Sequence, residues 1–220
     1  MDGILLIDKP KGISSFDVIR KLRGILKIKK IGHSGTLDPL ATGLLVLGIG
    51  KGTKLLADLI GLDKEYEVLA RFGYESDTYD ADGEVVPVDL NIKIEQVDCE
   101  AMILNKFIGQ IEQLPPKYSA LKIGGKRACD IVRAGGEVDL KPRGVRVDGF
   151  EVLQYNWPSV KFRITCSKGT YIRSLIHDLG KDLACGAYVE ELRRSKIGSF
   201  RVEEAKLLDA ESFSLYNACS

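Results

Sequence analysis

The sequence has little of what zinc ribbons, disulfide scaffolds and membrane proteins require. Its 220 residues contain only two histidines and five cysteines, and no two cysteines form a C-x-x-C pair. The cysteines are Cys99, Cys129, Cys166, Cys185 and Cys219. An odd number of widely spaced cysteines argues against a disulfide framework and favours a reducing cytoplasm. The longest uncharged stretch, residues 39–50, is too short to cross a bilayer, and the N-terminus lacks the pattern of an export signal.

Charge of one sign does not dominate the chain either. Lysine and arginine number 32 and aspartate and glutamate 31, so the formal net charge is +1. An RNA partner must therefore be held by local clusters of cations. Six lysines and arginines lie between Asp17 and Asp38, where no carboxylate occurs, and residues 115–146 hold eight against three acids. A third cluster near the end comprises Arg193, Arg194, Lys196 and Arg201.

The composition, 45% hydrophobic and 29% charged, is that of an ordinary globular chain. Apolar periodicity predicts strands over residues 4–7, 44–47, 65–72 and 160–166, and a strand pair over 189–200. It predicts helices that begin at Ser14 or Ser15 and that cover residues 53–60, 94–107 and 171–183. A loop is predicted over 29–42, and the stretch 75–100, with nine acids and one basic residue, is predicted to begin as a solvated loop. This order predicts an α+β domain with a large mixed, mainly antiparallel sheet and helices packed on it.

One carboxylate stands out by its surroundings. Asp38 ends the basic stretch and lies in a loop where Gly32, Gly35 and Gly43 permit tight backbone turns. Pro39 restricts Asp38 to extended conformations. An isolated Asp-Pro pair is an ordinary turn former. The surrounding pattern, however, predicts a carboxylate held on a constrained loop among cations.

The whole string GHSGTLDPLATGLL, residues 32–45, resembles the signature loop of the TruB family of tRNA pseudouridine synthases. Other segments resemble that family's remaining motifs in the same order along the chain. They are GILLIDKPKGISSFDVI, KEYEVLARFG followed by DTYDADG, PPKYSALKIGGKRA, SKGTYIRSLIHDLG and ELRRSKIGSF. The resemblance runs from Gly3 to about Phe200 and implies the pseudouridine synthase fold.

The chemistry implied by the resemblance is isomerisation of uridine to pseudouridine at position 55, in the T-loop of tRNA. The C1′–N1 bond breaks, the flipped-out base turns, and a C1′–C5 bond forms. Such a reaction needs a nucleophile and a proton shuttle, and the resemblance implies no metal and no cofactor. Asp38 is the implied nucleophile, which attacks ribose C1′ or base C6 or acts through a glycal. Arg173 matches the arginine that orients this aspartate, and Tyr66 matches the tyrosine that stacks near the base and assists proton movement at C5.

The resemblance also implies substrate-binding residues. His33 matches a position that occupies the space vacated by the extruded nucleotide, while Tyr171 and Leu192 match residues that line the uracil pocket. Lys9 either contacts RNA or holds the end of its strand. The implied partner is the T-arm of tRNA, with no membrane, and we expect a monomer.

Members of the bacterial stand-alone branch continue into a small C-terminal RNA-binding domain. We therefore expect a catalytic domain over residues 1–205 and a short C-terminal remnant over 206–220, without a complete appendage.

Other functions fit less well. The segment 78–83 suggests an EF-hand, but the loop would then begin with Thr78 and end with Asp89. An EF-hand loop needs an aspartate at its first position and a bidentate glutamate at its twelfth. Residues 48–53 suggest a phosphate loop, but glycine follows its lysine. Two alternatives within the family are a tRNA-folding chaperone with secondary catalysis and a guide-RNA-dependent pseudouridine synthase.

Overall fold

The computed structural model describes residues 2–88 and 91–209, and these ranges hold fourteen strands, five α-helices and two 3₁₀ helices. The strands are β1 (Gly3–Lys9), β2 (Ile31–His33), β3 (Thr42–Ile49), β4 (Lys64–Phe72), β5 (Tyr74–Ser76), β6 (Val85–Pro87), β7 (Gly109–Gln113), β8 (Lys122–Ile123), β9 (Lys126–Arg127), β10 (Arg143–Asn156), β11 (Ser159–Cys166), β12 (Ala187–Ile197), β13 (Phe200–Arg201) and β14 (Lys206–Leu207). The α-helices are α1 (Ser15–Leu26), α2 (Leu56–Ile60), α3 (Gln96–Lys106), α4 (Ala128–Arg133) and α5 (Ile172–Asp182). The 3₁₀ helices are Gly50–Leu55 and Val202–Glu204.

The chain forms two compact units. The first holds the residues up to Tyr66 together with those from Leu192 onward, and the second holds Glu67–Glu191. Ten strands belong to a mixed sheet, in which β1 runs antiparallel to β3 while β3 and β12 are parallel. The predicted α+β class with a large mixed sheet is confirmed. The predicted boundary at residue 205 stays a prediction.

The first unit is built around β3, whose two faces are both covered. Leu45 and Leu47 pack with Leu22 of α1 in one apolar cluster, and Leu44 and Val46 belong to a second cluster. A strand that is buried on both faces needs apolar residues at consecutive positions, which explains its unbroken hydrophobic run. Helix α1 begins after Ser14, whose hydroxyl accepts from Asp17 N while the Asp17 carboxylate accepts from Ser14 N.

In the second unit β10 runs antiparallel to both β11 and β7. The predicted alternation along β11 is confirmed, since Val160, Phe162 and Ile164 are fully buried between half-buried polar residues. Strand β10 was not predicted from the sequence, although it is fourteen residues long. Two register irregularities interrupt its pairing with β11, so its apolar residues do not keep a period of two.

Two further expectations need correction. The loop predicted over residues 29–42 contains β2, which pairs with β3. The hairpin of β5 and β6 reaches into the acidic stretch 75–100, and its Asp80 is buried rather than solvated. The predicted C-terminal remnant stays a prediction: its first residues form β14, which pairs with β1, and residues 210–220 lie outside the described residues. None of the described helices has the length and apolarity needed to cross a membrane.

Candidate active site

Asp38 lies half-buried in the loop between β2 and β3 of the first unit. The leucines two positions after it and one before it, Leu40 and Leu37, are both buried at 3% exposure and anchor the loop. Ala41 N donates to the Asp38 carbonyl at 3.1 Å, which closes a tight turn at Pro39. The carboxylate is thus carried by a short loop with apolar anchors on both sides.

Two polar side chains from the start of the chain hold this loop. The Ser15 hydroxyl accepts from Leu37 N at 2.8 Å and donates to Leu37 O at 3.1 Å, while Lys9 Nζ donates to Ile13 O at 2.7 Å and to Pro39 O at 3.4 Å. Lys9 is fully buried. Of the two roles predicted for Lys9, the structure supports holding the end of the strand. The ammonium has no exposed surface, which fits that role, and a contact of Lys9 with RNA stays a prediction.

Arg194 on β12 reaches the same loop from the far end of the sequence. Its guanidinium donates from Nε to Leu44 O at 2.8 Å, from Nη2 to Gly35 O at 3.1 Å and from Nη1 to Thr36 O at 3.4 Å. Arg194 is 1% exposed, so it cannot belong to the third basic cluster predicted for RNA. Its neighbour Arg193 turns the other way and forms a bidentate pair with Asp8.

His33 ends β2, opposite Leu47 of β3. Its Nδ1 accepts from Gly35 N at 3.3 Å. Burial lowers the pKa of His33 below its usual value of 6.5, and the Arg194 charge lowers it further. The imidazole is therefore neutral at pH 7, and its Nδ1 carries no proton, as the hydrogen bond from Gly35 N requires.

This pKa shift makes a prediction for stability. Because the unfolded state binds a proton at His33 more readily than the folded state, the free energy of unfolding should fall as the pH drops below about 6.5. His177 acts in the same direction, because burial lowers its pKa as well. Asp178 acts oppositely, since burial raises its pKa to about 6.

Urea unfolding of the wild type and His33→Gln at pH 7.5 and pH 5 isolates the His33 contribution. The loss of stability on acidification should be smaller in His33→Gln. An equal loss in both proteins would show that His33 titrates normally.

Lys9 makes a second prediction. In Lys9→Met the apolar stem remains, but the hydrogen bonds from the buried ammonium to Ile13 O and Pro39 O are lost. Hydrogen bonds from a charged donor contribute about 1.5–3 kcal/mol to the free energy of unfolding, and Lys9→Met should lose about this much. Lys11→Met, at an exposed position two residues away, is the control and should change stability by less than about 0.5 kcal/mol. Equal unfolding midpoints for the two variants would contradict this assignment.

Tyr66 and Leu192 are the residues at which the first unit ends and resumes along the chain, on strands β4 and β12. Tyr66 lies on the buried face of β4 and is 9% exposed. Leu192 lies on β12 at 7% exposure, and its carbonyl accepts from Thr42 Oγ1 at 3.4 Å. Both side chains are mainly enclosed by protein. This burial is compatible with a place in the wall of a pocket and equally with a place in an ordinary hydrophobic core.

In the second unit Arg173 is the second residue of α5 and is 4% exposed. Its Nη1 donates to Thr78 O at 2.8 Å and lies 3.3 Å from Asp80 Oδ2, while Nη2 donates to Tyr118 O at 2.9 Å. A planar guanidinium can satisfy such differently placed acceptors at once, whereas an ammonium cannot. Arg173 is therefore held in one orientation.

The partner of Arg173 in this unit, Asp80, is itself held by its own turn. Asp80 Oδ1 accepts from Thr78 Oγ1 at 2.6 Å and from Asp82 N at 3.1 Å. A backbone bridge joins Asp80 to Val189 of β12. The Asp80 carboxylate is thus oriented by its own turn and helps to hold the Arg173 guanidinium in place. No role for Asp80 was predicted from the sequence, where the available signal was a threonine two residues before an aspartate in a turn ended by glycine.

Tyr171 immediately precedes α5, and Gln113 fixes its backbone. The Gln113 side chain accepts from Tyr171 N at 2.8 Å and donates to Tyr171 O at 3.0 Å. The guanidinium of Arg143 lies 4.4 Å from the centre of the Tyr171 ring. An aromatic ring fixed at its backbone and covered by a cation is suited to stacking against a base. Gln113 was not predicted, because a buried glutamine leaves no pattern in the sequence.

The first unit therefore provides a half-buried carboxylate on a loop whose backbone is held at both ends, and a neutral histidine at the end of β2. The second unit provides an arginine held in one orientation and an aromatic ring whose backbone is fixed. A carboxylate on a loop that is already held in place is suited to act as a nucleophile or a general base. Within residues 2–88 and 91–209 no group of three or more histidine, cysteine, aspartate or glutamate side chains is placed to hold a metal ion.

Comparisons with known proteins assign this arrangement to a class. The model of the TruB family pseudouridylate synthase N terminal domain matches residues 23–172. The model of the tRNA pseudouridylate synthase B C-terminal domain matches residues 173–218. The class is thus that of the pseudouridylate synthases. The match covers well over half of the chain, and the chain belongs to the TruB family.

Individual relatives agree with the family models. The tRNA pseudouridine synthase B of Endomicrobium trichonymphae is 48% identical over 207 residues, which cover 93% of this chain and 89% of the relative. That of Opitutus terrae is 44% identical over 210 residues, covering 96% and 87%. Among solved structures, one chain of a Cbf5-Nop10-Gar1 complex is 31% identical with a TM-score of 0.73, over 94% of this chain. The chain spans about half the length of that protein, 52%.

Proposed function

We propose that this protein isomerises uridine to pseudouridine in the T-loop of tRNA, at position 55. The observation that carries the proposal is the loop of Asp38, in which buried side chains of Lys9, Ser15 and Arg194 bind the backbone on both sides of the carboxylate. A nucleophile held in this way needs no reorganisation when the substrate arrives.

The proposed roles follow from chemistry. Asp38 attacks the ribose C1′ or the base C6, or opens a glycal route, and leaves as the C1′–C5 bond forms. Arg173 keeps the attacking carboxylate ionised and oriented. Tyr66 stacks near the base and assists removal of the C5 proton. Tyr171 and Leu192 line the uracil pocket, and neutral His33 fills the space that the nucleotide vacates.

Exposed cations supply the binding surface for tRNA in this proposal. Lys21 and Arg23 are exposed on α1 and Lys27 is exposed directly after it, in the first basic cluster, and Lys117 and Lys126 are exposed in the second. Contacts to phosphates give most of the affinity for nucleic acids and weaken as salt is added. We further propose that the protein acts as a monomer, in the cytoplasm, without a metal.

The two alternatives within the family are not favoured. Eight curated relatives with 42–48% identity over most of the chain are named tRNA pseudouridine synthase B, whereas the Cbf5 chain is more distant at 31%. Asp38, Tyr66 and Arg173 are all present, which argues against a protein that only folds tRNA.

The direct test is mapping of pseudouridine in an unmodified tRNA transcript after incubation with the protein. We expect a single new pseudouridine at position 55, and none in a transcript that carries cytidine there. Modification at another position, or none at all, would contradict the proposal.

Base extrusion makes a further prediction about substrates. A ribose C1′ within a stack is inaccessible to a carboxylate fixed next to Pro39, so the nucleotide must leave the stack at a cost of about a few kcal/mol. A loop offers bases that are already partly unstacked, whereas a continuous duplex does not. Single-turnover rates should therefore be substantial on an isolated T-arm stem-loop and almost nil for the same uridine in a duplex. Comparable rates would contradict extrusion, and an inert stem-loop would show that contacts outside the T-arm are required.

A further inference from the structure

All three hydrogen bonds of the buried Arg194 guanidinium go to the loop that carries Asp38 or to the beginning of β3. Its three hydrogen bonds go to backbone carbonyls, two of them, Gly35 O and Thr36 O, just before Asp38 and one, Leu44 O, after it. The three carbonyls are bound by three different nitrogens, Nε, Nη1 and Nη2, so the single nitrogen of an ammonium cannot replace the guanidinium at all of them. The side chain therefore ties the beginning of the loop to its end.

The backbone of Arg194 holds the same loop a second time. Strand β12 pairs with β3 so that Arg194 lies opposite Gly43. A Cβ atom at Gly43 would lie only 2.3 Å from the Arg194 carbonyl oxygen, and the φ of Gly43 is +100°, a conformation that side chains rarely adopt. Only glycine permits this approach. Arg194 thus contacts both ends of residues 35–44 through side chain and main chain.

The positive charge of Arg194 also acts at this end of the loop. None of the ion pairs found within residues 2–88 and 91–209 includes Arg194, although it is 1% exposed. A buried guanidinium without a carboxylate would be costly if it served only to fill the core. Its charge reaches His33, whose pKa it lowers.

We propose that Arg194 is a positioning residue for Asp38: its guanidinium fixes the backbone of residues 35–44 and so sets the direction of the attacking carboxylate. This inference rests on the proposed function of the Asp38 loop. It requires that the loss of Arg194 slows chemistry at the uridine while the affinity for tRNA is kept, because the phosphate-binding cations lie elsewhere.

The test compares Arg194→Met and Arg194→Lys with Leu22→Ala. Leu22 is fully buried in α1 of the same unit and has no part in the loop. Leu22→Ala should therefore lower the stability of the protein but leave the Asp38 loop in place. Single-turnover rates at saturating T-arm stem-loop are measured with the Kd for the same RNA. We expect Arg194→Met to be slower by about 100-fold, the effect of a displacement near 1 Å at a reacting group. Its Kd should be unchanged, and Leu22→Ala should keep the wild-type rate.

Arg194→Lys keeps the charge but not the fork, and we expect it to be folded and slow. If Arg194→Met does not fold, the single-turnover rate of Arg194→Lys tests the inference instead. A wild-type rate for folded Arg194→Lys, or equal rates for Arg194→Met and Leu22→Ala, would overturn the inference. A raised Kd with an unchanged rate would overturn it as well, because it would make Arg194 a binding residue.

An NMR titration of His33 tests the placement of the guanidinium without any activity. The pKa of His33 should rise in Arg194→Met and stay lowered in Arg194→Lys, and an unchanged pKa in Arg194→Met would contradict the placement. Inactivity of the wild type on RNA would instead refute the proposed function, and the titration would still report on Arg194.

Discussion

Asp38→Asn is expected to abolish turnover and to leave tRNA binding nearly intact. The amide keeps the size of the carboxylate, and the hydrogen bonds that Ser15 and Lys9 make with the backbone of the loop remain possible. The variant loses the nucleophile. Removal of the nucleophile in a covalent mechanism lowers the rate on the order of 10⁴-fold or more.

Both quantities are measured on the same preparation, the rate by pseudouridine mapping over time and the Kd by filter binding at fixed salt. His33→Ala is the comparison variant, because it alters the same loop but leaves the carboxylate; it should be slowed far less. Multiple turnover by pure Asp38→Asn would remove Asp38 from its role. A large rise in Kd would show instead that the carboxylate shapes the binding surface.

Arg173→Lys is expected to show the next largest loss, of about 100-fold or more in the single-turnover rate. The lysine keeps the positive charge, but one ammonium cannot bind Thr78 O, Tyr118 O and the Asp80 carboxylate together. Asp80→Asn should be slowed as well, because Arg173 then loses a charged partner that holds its orientation.

The double variant shows whether the two residues act as a unit. If they do, Arg173→Lys combined with Asp80→Asn should be no slower than the slower single variant. Arg71→Lys is the control, since Arg71 belongs to the same unit and bonds Ser159 Oγ at 2.6 Å. Normal rates for Arg173→Lys, or strictly multiplicative losses in the double variant, would contradict a shared role.

Local signals made the Asp38 loop and several elements predictable. Ser14 and Asp17 form the cap that begins α1, and the alternation of Val160, Phe162 and Ile164 identified β11. These features depend on neighbours within a few positions of one another. The glycines and the proline around Asp38 act over the same short range, so the sequence identified the loop.

Charged residues that the fold buries were not predictable in the same way. Asp80 lies in a strongly acidic stretch and Arg194 in a basic one, and each stretch is typical of a solvated surface. Their partners are far along the chain, because Arg194 binds carbonyls about 150 residues earlier. Only pairing of distant strands and turns brings such groups together. Lys9 belongs to the same class, and for it the sequence left two roles open.

Asp38 is the proposed nucleophile of a reaction in which the C5 hydrogen of one uridine is replaced by a bond to C1′. The measurement that tests this role most directly is tritium release from tRNA transcripts in which every uridine carries tritium at C5. We expect the wild type to release tritium from one uridine per tRNA and to release none from a transcript with cytidine at position 55. Asp38→Asn should release none in a single turnover. Stoichiometric release by Asp38→Asn would contradict this role.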